Sequence, residues 1–151
     1  NRQAHDVEVY ATSLKAKNDT AKDYSDVESF LPMNFKWSYS GSDSIIIAKS
    51  ISPSIGKHCD FGHIIASAGA IMFENSMGGT CNLEFILDLE FDASTRNSIL
   101  KPGDYLLEVI VAAGNATAKR YSISFCYDGG WSKHESDMFS KHFIFKSVDR
   151  L

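Results

Sequence analysis

Leu100-Lys101-Pro102-Gly103-Asp104-Tyr105-Leu106-Leu107-Glu108-Val109 is the stretch whose reading decides the fold class. Proline presets φ at about −65°, and glycine accepts positive φ at little cost, so Pro102-Gly103 marks a tight turn. Beyond it Tyr105, Leu107, Val109 and Val111 alternate with Leu106, Glu108 and Ile110. A period of two is a strand, and a strand apolar on both faces is central in its sheet.

The same period recurs outward from this point. Leu83, Phe85, Leu87, Leu89 and Phe91 alternate with Glu84, Ile86, Asp88 and Glu90, which predicts a half-buried antiparallel strand with one wet face. Tyr121, Ile123 and Phe125 alternate with Ser122, Ser124 and Cys126, within a strand predicted over Lys119–Tyr127. Phe35, Trp37 and Tyr39 alternate with Asn34, Lys36 and Ser38, and Val7, Val9 and Ala11 with Glu8, Tyr10 and Thr12. Ile45–Ala48 and Phe61–Ala66 complete about seven strands. Turn residues fall between them, at Asn18-Asp19, Gly41-Ser42-Asp43, Gly78-Gly79, Gly114-Asn115 and Asp128-Gly129-Gly130. That pattern predicts an antiparallel β-sandwich or barrel. One segment departs from it. Ser132-Lys133-His134-Glu135 is a capping box, with Ser132 placed to accept from the amide of Glu135, and it predicts a short helix to about Ser140. Met138 and Phe139 would fold onto the sandwich beside Trp131, and Phe143-Ile144-Phe145 would return as a short edge strand or a docked tail.

A Tyr two residues after a Pro-Gly turn resembles the tyrosine corner of immunoglobulin-like sandwiches. There the ring is buried and the hydroxyl bonds backbone as the chain crosses between sheets. The resemblance gives Pro102, Gly103 and Tyr105 structural roles, with Trp37 in the core. It implies that Leu83–Phe91 precedes the corner, that Tyr105–Ala112 follows it, and that Lys119–Tyr127 is the hairpin partner. An ordinary type II turn before a strand is the other reading. Asn1 through Ala11 is similar to the Asn-x-Gly-x-x-x-Ala-x-x-Val-x-Val segment of fibronectin-like and adhesion-type domains, in which one strand ends and the next begins at Val. The first strand would then lie upstream.

The chain also resembles a group of uncharacterised bacterial proteins whose β-domain follows membrane helices. Phe30–Ser38, Ile51-Ser52-Pro53, Cys59-Asp60-Phe61-Gly62-His63-Ile64, the Pro-Gly-Asp-Tyr corner, and Gly130-Trp131 with Met138-Phe139 carry that resemblance. It implies a membrane-anchored parent and a non-enzymatic domain, and names no ligand.

Composition sets the outer bounds. The 151 residues suit a single domain, Asn1–Leu151. Fifteen Lys+Arg against 19 Asp+Glu give a net charge of −4, which argues against a nucleic-acid partner. No run of 18 apolar residues is present to span a membrane. The chain starts at Asn1 with no signal-like segment, so it reads as a fragment or a trimmed product whose parent carries any anchor. Cys59, Cys81 and Cys126 read as three reduced thiols, or as one disulfide and a free thiol. Asn18-Asp19-Thr20 and Asn115-Ala116-Thr117 are sequons of a kind that arises readily by chance.

Motifs with chemistry are few. His58, Cys59 and His63, with Asp60, are the one cluster of metal-ligand types. On a strand His58 and Asp60 face one way while Cys59 and His63 face the other, so a tetrahedral site would need a turn inside it. The reading is a packed Cys59 and solvated histidines, and no cofactor is implied. Ser54-Ile55-Gly56-Lys57 and Ser98-Ile99-Leu100-Lys101 match S-x-x-K, but the K-T-G that accompanies it in enzymes is absent. Asp88 and Glu90 share a polar strand face, where carboxylates serve solubility. Tyr10, Tyr39 and Tyr127, with Trp37 if it were exposed, are the candidate stacking surface. The expectation is a non-catalytic interaction domain that meets a protein partner through a sheet edge or loops. A carbohydrate-binding sandwich is the alternative.

Overall fold

The computed structural model describes residues 2–17, 23–38, 45–66, 83–90 and 99–151. They form ten strands: β1 (Ala4–Lys17), β2 (Tyr24–Asp26), β3 (Met33–Asn34), β4 (Ala48–Ile51), β5 (Gly62–Ala66), β6 (Leu83–Leu87), β7 (Ile99–Leu100), β8 (Gly103–Ala113), β9 (Ala116–Tyr127) and β10 (Phe143–Arg150). Two antiparallel sheets result, so the all-β, two-sheet expectation holds. The larger has seven strands in the order β10-β9-β8-β1-β2, with β3 and β4 also on β1, and the smaller is β5-β6-β7.

The turn at Pro102 works as a corner. β7 belongs to the small sheet and β8 to the large one, so the chain changes sheet between Leu100 and Gly103. Tyr105 follows with its ring 7% exposed, and its hydroxyl donates to the Lys101 carbonyl at 2.7 Å. The strand immediately before the corner is β7, not Leu83–Phe91, within which β6 comes one strand earlier. β8 and β9 form a long hairpin closed by Gly114-Asn115, between the paired Ala113 and Ala116. A two-residue connection of this composition suits the right-handed strand twist.

Beyond the expected seven strands stand β2, β7 and β10, of which only β2 pairs with β1. β1 runs for 14 residues, well beyond the Val7–Thr12 alternation. β8 lies along one side of it, while β4, β3 and β2 share the other in succession. The neighbour that a strand at this position needs is therefore supplied from downstream in the chain. The predicted Ile45–Ala48 strand forms three residues later, where Ala48 pairs with Val7, and it leaves Ile45 and Ile47 exposed. The predicted Asn34–Tyr39 strand splits instead. Tyr10 faces Asn34 on the large sheet, but Phe35 bridges Leu89 and Trp37 bridges Cys59, so this run joins the end of the small sheet. β6 was expected to have one wet face, yet Phe85, Ile86 and Leu87 are all buried, so both of its faces are covered.

The core lies between the sheets. Ala11, Leu14, Leu107, Phe125 and Tyr127 face Phe85, Leu87 and Leu100 across it. A smaller cluster of Val7, Trp37 and Ala48 closes one end, with the Trp37 indole N–H donating to the Val7 carbonyl at 3.2 Å. Phe61 is the hinge of the aromatic packing, edge-on to Phe125 at 5.3 Å and to Phe145 at 5.2 Å. Such pairs add about 0.5–1.5 kcal/mol each beyond burial.

The helix is shorter than its sequence signal. α1 covers Glu135–Asp137 and passes directly into a π-helical turn at Met138–His142. No capping box forms, because the Ser132 hydroxyl accepts from the nearer amide of His134 at 3.3 Å. The last segment is a strand and not a docked tail, since β10 pairs with β9 from Phe143 to Arg150 with a bulge at Lys146. Among the described residues no helix is long and apolar enough to cross a membrane.

Candidate functional site

A cleft of about 780 Å³ opens where the entry to β5 faces the Trp131–His142 arm and the start of β10. Its floor is aromatic, made by Phe61, Phe85 and Phe143. Trp131 and Phe139 form the arm-side wall, and Ser38, His58, Asp60, His63, Asp88 and Glu135 supply the polar lining. Trp131 is 58% exposed and Phe139 50%, so both rings present their faces to solvent beside the cleft.

Two turns dock on one another to place the arm. Gly129 has φ +86°, and an added Cβ there would press on Pro102 at 2.7 Å, so the Asp128-Gly129-Gly130 turn rests on the corner. The Gly130 N–H donates to Asp128 Oδ1 at 2.7 Å, and the His142 ring lies 3.0 Å from Asp128 Oδ2. The Asp128 N–H also donates to the His142 carbonyl at 3.0 Å. Burial pushes the Asp128 carboxyl up, but the Gly130 N–H and the His142 ring together outweigh it and hold the group below its usual value of 3.8. Asp128 thus ties the two ends of the arm together, and with them the spacing of Trp131 and Phe139 over the floor.

The opposite wall is set by the small sheet. His63 Nδ1 lies 2.8 Å from Asp88 Oδ1, and Ser38 hydrogen-bonds Asp60. The Cys59 thiol donates to the Lys36 carbonyl at 3.1 Å. Burial, reinforced by the negative charges of Asp60 and Asp88, pushes that thiol up to about 12, so it is protonated at neutral pH and is a poor nucleophile. His63-Asp88 resembles a base with its orienting carboxylate, but the thiol beside it is not activated.

His58, Cys59, Asp60 and His63 all line the cleft. No group of three His, Cys, Asp or Glu among the described residues is placed to hold an ion. The reason is local: Asp88 takes His63, Ser38 takes Asp60, and Cys59 turns to the Lys36 backbone. Cys59 and Cys126 are free thiols, and Cys81 lies outside the described residues.

Among the described residues, the stacking surface sought in Tyr10 and Tyr127 is not where the exposed rings are. Tyr127 is 1% exposed and Trp37 4%, so neither is available. Trp37 is a core residue, with Lys57 Nζ 5.8 Å from its ring. Tyr10 is half-buried between Asn34 and Ile110, and Tyr39 lies outside the described residues. Trp131, expected beside Met138 and Phe139 on the sandwich, lines the cleft together with both of them. Of the carboxylate pair, Asp88 lines the cleft, while Glu90 uses its N–H on the Asn34 carbonyl at 2.8 Å. Of the S-x-x-K matches, Ser54 and Lys57 are exposed and lie outside the lining, and Ser98 falls outside the described residues. In the sequon Asn115-Ala116-Thr117 both ends of the Asn115 amide are engaged, by the His5 N–H at 3.0 Å and the Gln3 carbonyl at 2.7 Å. The sequon at Asn18 lies outside the described residues.

No protein-family model, curated protein or solved structure matches the chain. The functional reading therefore rests on the cleft itself.

Proposed function

We propose that this chain is a non-catalytic interaction domain and that the cleft walled by Trp131 and Phe139 is its binding surface. The observation that carries the reading is the exposure of those two large rings, at 58% and 50%, over an aromatic floor. Exposed aromatics that converge on one concavity are the usual anchors of a binding site. The unactivated Cys59 thiol supports a binding role over a catalytic one. The corner at Tyr105 and the two-sheet architecture support an immunoglobulin-like type. The resemblance carried by Phe30–Ser38 and Cys59–Ile64 supports a membrane-anchored parent.

One observation favours a second reading. Trp131 stands near Asp60, His63 and Asp88 at the same cleft, and a ring beside hydroxyl-bonding groups is how proteins hold sugars. A carbohydrate-binding sandwich is therefore the alternative occupant of the same site.

A peptide library and a glycan array screened with the chain and with its Trp131→Ala variant test the reading. The expected result is a ligand, from one library or the other, that the variant loses. Ligands retained by the variant, or none in either library, would contradict it.

A further inference from the structure

The free side of β10 adjoins the cleft, and its chemistry selects among ligands. β10 ends its sheet, with β9 its only strand partner among the described residues. The Leu151 N–H donates to the Arg120 carbonyl at 3.0 Å, which sets the phase of the antiparallel ladder in this half of the strand. Ladder bonds alternate, so Val148 and Arg150 turn their N–H and C=O groups to the open side. Sheet edges are commonly guarded by an outward lysine or a bulge. Here the bulge stands at Lys146, ahead of Val148 and Arg150, and the Lys146 ammonium reaches inward across β9 to Asp104 on β8.

Side chains point to the same use. Phe145 pairs with Phe125 and Val148 with Ile123, which places both on the inner face of the large sheet. Phe145 is nevertheless 46% exposed and Val148 62%. Phe145 also lines the cleft, so the uncovered inner face of β10 and the cleft are one continuous surface. The carboxylates lining the cleft are Asp60, Asp88 and Glu135, and its basic groups are His58 and His63, the latter already on Asp88, while β10 itself carries Lys146, held by Asp104, and the pair Asp149 and Arg150. The cleft end of the surface therefore complements positive charge, in a chain whose net charge is −4.

We infer that the ligand is an extended segment of a partner protein, which adds as a strand to the free side of β10, sets an apolar side chain in the cleft and carries a Lys or Arg for the acidic rim. Strand addition explains both halves of the surface. The backbone of Val148 and Arg150, unpaired among the described residues, supplies main-chain bonds, and the cleft takes alternate side chains. A sugar would meet Trp131 but would leave that backbone unused. The inference rests on the cleft being the binding site, and it adds the class and conformation of the ligand.

Peptides selected from a random library on the whole chain, with Trp131→Ala as the counter-screen, provide the test. The selected peptides should alternate apolar and basic residues and weaken as salt is raised. Bound peptide should slow hydrogen exchange at the amides of Val148 and Arg150. Val148→Pro removes an edge donor without touching the β9 ladder, and it should weaken binding about tenfold or more, on the order of 1.4 kcal/mol. Exchange in the unsubstituted chain keeps the test decisive if that variant folds poorly. Peptides that depend on Trp131 but leave both amides unprotected would overturn strand addition and leave the cleft reading standing, as would Trp131-dependent binding of glycans alone. A chain with no Trp131-dependent ligand of either kind would overturn both.

Discussion

The Tyr105 hydroxyl donates to the Lys101 carbonyl at 2.7 Å, across the turn at which the chain changes sheet. That bond satisfies a mostly buried phenol and fixes the corner on which the Asp128–Gly130 turn then rests. The Tyr127 hydroxyl, by contrast, is buried with no hydrogen-bond partner among the described residues. The two tyrosines should therefore respond oppositely to the same substitution. Tyr105→Phe loses a made bond and should cost about 1–2 kcal/mol, whereas Tyr127→Phe removes an unmet one and should be neutral or stabilising by up to about 1 kcal/mol. Urea unfolding of both variants measures the pair, and equal losses would contradict the assignment.

Cys59 should be slow to react. Its thiol is pushed up to about 12 by burial and by Asp60 and Asp88, so alkylation at pH 8 should be at least tenfold slower in the folded chain than in the urea-unfolded one, read by mass spectrometry. The sign for stability follows. The folded value lies above the usual 9.0, so the folded state holds this proton more tightly. Its stabilising contribution is complete below pH 9.0 and is lost as pH rises toward about 12. Cys59→Ala should flatten the alkaline limb of the melting curve.

Asp128 should contribute to the acid limb. Its carboxyl is held below 3.8 in the folded chain, so its contribution is present above that value and lost as pH falls below it. Asp128→Asn should shrink the loss of thermal stability on acidification below pH 3.8. The same variant should raise hydrogen exchange in the Trp131–His142 arm, because Asp128 joins its two ends. An unchanged arm would show that the Gly129–Pro102 packing alone holds it.

Phe61 should be the costliest single truncation at the cleft. Its ring packs on Phe35, Phe125, Phe143 and Phe145, from both sheets. Phe61→Ala should destabilise the fold by about 3 kcal/mol, whereas Phe139→Ala, on a ring 50% exposed, should change stability by less than about 1 kcal/mol. Thermal unfolding of both variants separates the floor, which holds the fold, from the wall, which is free to bind.

Much of the fold was legible because its signals are local. Pro102-Gly103 and Tyr105 lie within four residues, and the β8–β9 hairpin needs only alternation on either side of Gly114-Asn115. What stayed illegible depends on register across long separations. β4 formed beyond the most apolar part of its run because Ala48 meets Val7, and the Phe35–Trp37 run changed sheet to meet Leu89 and Cys59. The capping box failed because Ser132 found a nearer amide. The site was half legible. His58, Cys59, Asp60 and His63 were singled out for metal chemistry and do line the cleft, but as a hydrogen-bonded wall. Trp131 and Phe139 looked like packing residues because an aromatic in a short sequence motif carries no sign of which side of it faces water.

The central claim is that the Trp131 cleft is the binding surface, and Trp131 itself reports on it. The chain has 2 Trp; Trp37 is 4% exposed and Trp131 58%, so emission quenched by acrylamide comes from Trp131. Acrylamide quenching with and without a saturating peptide selected on the whole chain is the direct measurement. The account predicts that bound peptide lowers quenching to nearly the level of the Trp131→Ala variant. Saturable binding that leaves quenching unchanged would contradict it.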